Sequence, residues 1–236
     1  MSLVWLPLLV ACVDWAAVYW DKRRWGYLTK PGVMAAILGW MGYAVWSRLP
    51  EGAGWAAMWA EADGWGWFAL GIVFSLFGDV FLMLPEERFV PGLVSFLLAH
   101  LAYIVGFNLS RPPLDPALFV LVLVVGLTGI RVYRRIRAGL LARGKTRLQV
   151  PVMVYSTLMG VMLLSALMTL VRSEQEWGVS AALWVSAGAM LFFISDVLLA
   201  WNRFVAPVSQ ARIKVRITYH LGQLALIVGS GMHFLS

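Results

Sequence analysis

The sequence predicts an all-α fold: a polytopic membrane bundle of eight transmembrane helices. Three observations carry that reading. Of 236 residues, 61% are hydrophobic and only 13% charged, with a mean hydropathy of +0.79, far from the balance of water-soluble domains. Apolar runs recur at about 20 residues, the length a helix needs to cross roughly 30 Å of hydrocarbon. Lysines and arginines collect in alternate loops, the mark of cytoplasmic connections.

The first run covers about 2–20 and is broken only by Asp14. Its Leu9-Val10-Ala11-Cys12 resembles a lipoprotein cleavage box, but no Lys or Arg precedes it, so the run is read as a retained helix. Cys12, the single cysteine, has no disulfide partner and is expected to pack inertly. The second run, 31–49, starts at Pro31. The third and fourth, 64–84 and 89–109, are separated only by a short charged turn. The fifth, 113–131, leads into the basic stretch RVYRRIRAGLLARGKTR, and the sixth, 150–171, follows it. The seventh and eighth are 179–201 and 216–235.

Connections are short, so residues 1–236 form a single transmembrane domain. The loops after odd-numbered helices carry Lys22, Arg23, Arg24 and Lys30, then Arg88, then the basic stretch, then Arg203, Arg212, Lys214 and Arg216. The other side holds only Arg48, Arg111 and Arg172, with Glu51, Glu61, Asp63, Asp115, Glu174 and Glu176. Both termini are therefore expected to be extracytoplasmic, in the cytoplasmic membrane of the cell. The net charge of +7 is explained by topology and attraction to anionic head groups, and calls for no nucleic acid. The 13 tryptophans form an interfacial belt near helix ends and in the loop before the third helix, and His233 is read as interfacial.

Two halves repeat, about 1–110 and 113–236. FSLFGDVFLML (74–84) matches LFFISDVLLAW (191–201), AHLAYIVGF (99–107) matches YHLGQLALIVG (219–229), and TKPGVMAAILG (29–39) loosely matches QVPVMVYSTLMG (149–160). Four helices per half make the repeats parallel. Asp79 and Asp196, each behind a small residue, then lie roughly 7 to 8 Å inside the cytoplasmic boundary at 1.5 Å per helical residue, with Asp14 in the same layer. His220 enters near them, with Tyr219 beside it and Gln223 one turn on; His100 has Tyr103 at the same spacing. Lys30 reaches this layer by snorkelling. Such groups are costly against lipid and must face a protein interior or a watery cavity.

A carboxylate in this position is either a structural hydrogen-bonding group or a functional one. The matched depth of Asp79 and Asp196 favours function, whereas Asp14 has no counterpart in the fifth helix. The chain has no phosphate-binding Gly-Lys-Ser/Thr loop, no G-x-S-x-G elbow and no His-Glu-x-x-His motif. Two nearby carboxyl groups in a low-dielectric cavity can divide into a protonated acid and an ionised base, so Asp79 and Asp196 are the candidate acid–base pair.

At these residues the sequence resembles the lysoplasmalogenase-like (YhhN) multi-pass membrane proteins. The resemblance rests on Lys30-Pro31, FGDVFLML (77–84), FLLAHLAY (96–103), PVMVY (151–155), ISDVLLA (194–200) and YHLGQ (219–223), in the family's order. It implies cleavage of the vinyl-ether bond of a lysoplasmalogen to fatty aldehyde and a glycerophospho-head group, without an obligatory cofactor; the separation in depth of His100 and His220 argues against a metal. The two aspartate motifs of the family map onto Asp79 and Asp196. An acid would protonate the β-carbon and a carboxylate would stabilise the cation and activate water, with either aspartate in either role. His220, Tyr219, Gln223, His100, Tyr103 and Asp14 would orient the pair or the water, and Lys30 would meet the lipid phosphate. The expected partner is a membrane lysophospholipid. Alternatives are a metal-dependent lipid hydrolase using His100 and His220, a proton-coupled small-solute transporter, and a non-catalytic scaffold.

Overall fold

The computed structural model describes residues 3–84, 88–110, 115–173 and 176–236. Among these residues all regular structure is helical: α1 (Trp5–Tyr19), α2 (Arg23–Trp46), α3 (Trp55–Ala62), α4 (Trp65–Met83), α5 (Phe89–Phe107), α6 (Pro116–Ala142), α7 (Gln149–Met168), α8 (Val179–Phe204) and α9 (Ala211–Phe234). A helix stands at each of the eight apolar runs, and α3 adds a short one in the tryptophan-rich loop. Five helical segments are long and apolar enough to cross a membrane: α4, α5, α6, α7 with its flanking short turns (Thr146–Val171), and α8; α1 is a shorter apolar helix. These mark an integral membrane protein. Arg111 and Glu174, used above to set orientation, lie outside the described residues.

Several helices extend beyond the apolar runs, because arginine and lysine are good helix formers and the helix does not stop where hydropathy does. Helix α2 begins at Arg23, so Pro31 lies inside it rather than at its start; a proline there removes one helical N–H and its bond to the preceding turn. Helix α6 runs on through the basic stretch to Ala142. Its start is fixed by Asp115, whose side chain accepts the Ala117 N–H at 2.7 Å, with Pro116 in the first helical position. The apolar part of α6 has no residue buried in the protein. Its far end is anchored more firmly, where Ile136 and Leu140 are buried with Val152 and Phe204. Cys12, expected to pack inside, lies exposed on the outer side of α1, where an apolar thiol is equally at home against lipid.

The tightest approach joins α8 to α9. A Cβ added to Gly222 would lie 2.8 Å from the Phe192 N and 2.9 Å from the Gly188 carbonyl, and one on Gly188 would lie 2.6 Å from the Leu226 N. Backbone contact of this kind is how small residues hold membrane helices together. Gly222→Leu is expected to lower stability by about 1–3 kcal/mol, read as a fall in Tm in detergent. Gly126→Ala is the control and should leave Tm unchanged, since a Cβ there meets nothing within 4 Å.

The interior between α4, α5, α8 and α9 is filled by rings. Phe68 packs on Tyr103 and Phe107 with centroids 5.7 and 5.0 Å away, and Tyr219 packs on Phe96 and Phe192 at 5.9 and 5.5 Å. At the end remote from the basic loops, Trp177 stacks on His233 at 4.0 Å and Arg172 holds the end of α5 through Ser110 and the Phe107 carbonyl.

Candidate functional site

Asp79 and Asp196 line one cavity of about 210 Å³ at the basic end of the bundle, together with Lys30, Phe96, Ser195 and Tyr219. Helix α4 contributes the first carboxyl group and α8 the second. Their surroundings differ. Asp79 is wholly buried; its Oδ1 pairs with the Lys30 ammonium of α2 at 2.7 Å and its Oδ2 accepts the Tyr219 hydroxyl of α9 at 2.9 Å. Asp196 is slightly open to the cavity, with 11% of its side chain exposed. Its Oδ2 accepts the Tyr155 hydroxyl of α7 at 2.6 Å and lies 3.3 Å from His100 Nε2 of α5.

His100 Nε2 is also 3.1 Å from the Tyr155 hydroxyl, while its Nδ1 is buried without a hydrogen-bond partner. A bare ring lone pair is cheaper to bury than an unpaired N–H. The network therefore favours a proton on Nε2, where His100 donates to the Tyr155–Asp196 pair. Asp79 thus pairs with a cation, whereas Asp196 is held by the Tyr155 hydroxyl and the His100 ring.

The remaining candidates separate into two groups. Tyr103 donates to Gln223 Oε1 at 2.6 Å, and Gln223 Nε2 donates to Ser75 at 2.9 Å, so α4, α5 and α9 are tied together by a buried polar link that bonds to neither aspartate. Asp14 and His220 form a separate cluster. Asp14 accepts the Thr29 hydroxyl at 2.6 Å and pairs with Arg216, and His220 Nδ1 accepts the Trp15 indole N–H at 3.1 Å and lies 3.9 Å from Asp14 Oδ2. The two histidines of a metal-hydrolase reading therefore belong to different clusters, and no group of three or more His, Cys, Asp or Glu among the described residues is arranged to hold a metal ion.

Sequence reasoning missed Tyr155, Thr29, Ser75 and Arg216. Tyr155 closes the apolar run PVMVY with no carboxylate or histidine beside it to single it out, and Arg216 was counted among the topology-setting charges.

An apolar pocket continues from the cavity past Asp196, lined by Leu93, Val152, Tyr155, Met159 and Phe204 among others. Ser156 also borders a larger groove of about 400 Å³ between α6 and α7, lined by Val125, Ile130, Met153 and Val161. A polar centre thus adjoins an apolar path to the lipid-facing side.

The family model of the YhhN family matches residues 25–230. The chain is 35% identical over 176 residues to lysoplasmalogenase TMEM86B of Mus musculus, covering 73% of this chain and 68% of that protein. It is 31% identical over 164 residues to lysoplasmalogenase TMEM86A of Homo sapiens, covering 68% and 63%. It is 25% identical over 169 residues to the lysoplasmalogenase of Mycobacterium tuberculosis, covering 69% and 59%. No solved structure matches the chain. With the family model spanning nearly the whole sequence, the aspartate-bearing helices included, the chain belongs to the YhhN family.

Proposed function

We propose that this protein is an intramembrane lysolipid hydrolase of the lysoplasmalogenase type, cleaving the vinyl-ether bond of lysoplasmenyl phospholipids in the cytoplasmic membrane. The observation that carries the reading is the single cavity into which α4 and α8 bring two carboxyl groups, one paired with the Lys30 ammonium and one accepting the Tyr155 hydroxyl. The names of the relatives point to the same reaction.

Asp196 is the acid. Its Oδ2 is occupied by the Tyr155 hydroxyl, which leaves Oδ1 to carry a proton to the β-carbon of the vinyl ether. The product is an oxocarbenium ion beside two carboxylates, which stabilise it. Asp79, ionised against Lys30, takes a proton from the attacking water. When the hemiacetal collapses, Asp79 returns that proton to the departing glycerol oxygen and the hemiacetal hydroxyl gives its proton to Asp196. One water is consumed, and both carboxyl groups end as they began. The alkenyl chain runs past Asp196 through the apolar pocket to the α6–α7 groove, the direction in which a chain descends from the inner leaflet.

The eight helices at the apolar runs span the bilayer in this reading, as two parallel four-helix repeats with both termini outside. The repeat is supported by reciprocal contacts: α5 of the first half reaches Asp196 through His100, and α9 of the second half reaches Asp79 through Tyr219. Tyr103 and Gln223, equivalent positions three residues after each repeat histidine, bond to each other. Such exchange is what a two-fold axis along the membrane normal between the halves would produce.

Incubation with a lysoplasmenyl lipid should release fatty aldehyde, and the ester-linked analogue should release no fatty acid. Fatty acid from the ester with no aldehyde from the vinyl ether would refute the assignment. Tyr155→Phe removes one hydrogen bond to the acid and is expected to lower kcat about tenfold, the effect of roughly 1.4 kcal/mol, with little change in KM.

A further inference from the structure

Beside the catalytic cavity lies a second, polar recess of about 350 Å³, lined by Gly26, Tyr27, Met83, Arg212 and Arg216. Met83 and both arginines also line the catalytic cavity, so the two spaces share a wall and adjoin. Arg212 and Arg216 are four residues apart on α9 and share a helix face. Arg216 is anchored from behind: its Nη1 pairs with Asp14, which is wholly buried on α1 and is itself fixed by the Thr29 hydroxyl. A guanidinium has five N–H donors, and this ion pair occupies one edge. Another edge lies against Gly26, where even a Cβ would stand 3.4 Å from Nη2, so a larger side chain at that position would cover the fork. Arg212 is paired with Asp21 at 2.8 Å, but both side chains are more than half exposed, at 53% and 64%, and such a pair contributes little and is readily exchanged for another anion. Lys30, the residue the sequence suggested for a phosphate, is instead engaged by Asp79.

We infer that Arg216 and Arg212 form a subsite for a phosphate anion, with Asp14 and Thr29 as positioning residues that hold the Arg216 fork. Planar guanidinium groups suit phosphate oxygens by geometry as well as charge. The inference rests on the hydrolase reading and names its selectivity: the spaces run from basic recess to carboxyl pair to apolar path. That is the order of phosphate, ether and hydrocarbon in a lysophospholipid, where the glycerol alone separates phosphate from ether. Asp14 is on this account a counter-ion of the subsite and not a third catalytic carboxylate.

The test uses the full chain in detergent and saturated-ether probes that the enzyme cannot cleave. Stabilisation against heat is compared for 1-O-alkyl-lysophosphocholine, 1-O-alkylglycerol, which lacks phosphate, and inorganic phosphate. The wild type should be stabilised at least tenfold lower concentration by the phosphocholine lipid than by the alkylglycerol. Arg212→Gln should shrink that ratio severalfold, and Arg216→Gln/Asp14→Asn, which removes both charges of the buried pair together, should remove it. Equal response to the two lipids in the wild type, or equal weakening of both by the variants, would overturn the subsite. Inorganic phosphate matching the lipid's effect would overturn its assignment to a head group. Because no bond is cleaved, a wild type that releases no aldehyde from lysoplasmenyl lipid would sink the hydrolase reading while this comparison still stood.

Discussion

Asp196→Asn is expected to lower aldehyde release from lysoplasmenyl lipid by about 10²- to 10⁴-fold, the contribution of a positioned general acid. The substitution keeps the shape of the side chain and an amide oxygen that can accept the Tyr155 hydroxyl, bonded to Oδ2 at 2.6 Å in the native protein. It removes only the transferable proton. The fold should therefore survive, with Tm close to that of the wild type, and the loss should fall on kcat with KM retained. An Asp196→Asn protein that is folded and within a few-fold of wild-type kcat would remove Asp196 from the chemistry and leave it a hydrogen-bonding group.

Lys30→Met carries the largest expected effect on stability. The substitution preserves the length of the side chain and deletes its charge, leaving the Asp79 carboxylate, which is 1% exposed, without its partner at 2.7 Å. Removing one member of a buried ion pair costs about 3–5 kcal/mol, whereas replacing both by apolar residues is often neutral. Lys30→Met should therefore lower Tm strongly, and Lys30→Met/Asp79→Leu should recover most of the loss while remaining inactive. Thermal melts of the wild type, Lys30→Met, Asp79→Leu and the double variant in one detergent measure this as a double-mutant cycle. An additive cycle, with no recovery in the double variant, would mean the pair is not energetically coupled.

The helices and the two aspartates were legible in the sequence because both signals are local. A run of apolar residues marks its own segment, and a carboxylate inside such a run marks itself by its cost. Partners were less legible, because they depend on which helix faces which. Asp79 finds Lys30 and Asp196 finds Tyr155 across different helices, and nothing in the run PVMVY announces that its tyrosine points inward. His220 shows the same limit. It neighbours Tyr219 in sequence, yet one turns towards Asp79 and the other towards Trp15 and Asp14, since adjacent residues on a helix point about 100° apart. Helix ends were misplaced at α2 and α6 because hydropathy reports where lipid is tolerated, while arginine-rich sequence continues the helix into water. Arg216 was taken for a topology charge for a related reason: its sequence position is that of a boundary residue, and only its contact with buried Asp14 shows it turned inward.

The central claim is that an aspartic acid held within the membrane delivers a proton to carbon. The most direct test is hydrolysis of lysoplasmenyl lipid by the wild type in D₂O, with the aldehyde trapped as it forms and analysed by mass spectrometry. Carbon protonation predicts one deuterium at C2 of the aldehyde and a slower initial rate in D₂O than in H₂O. Undeuterated aldehyde, released at the same rate in both solvents, would contradict it.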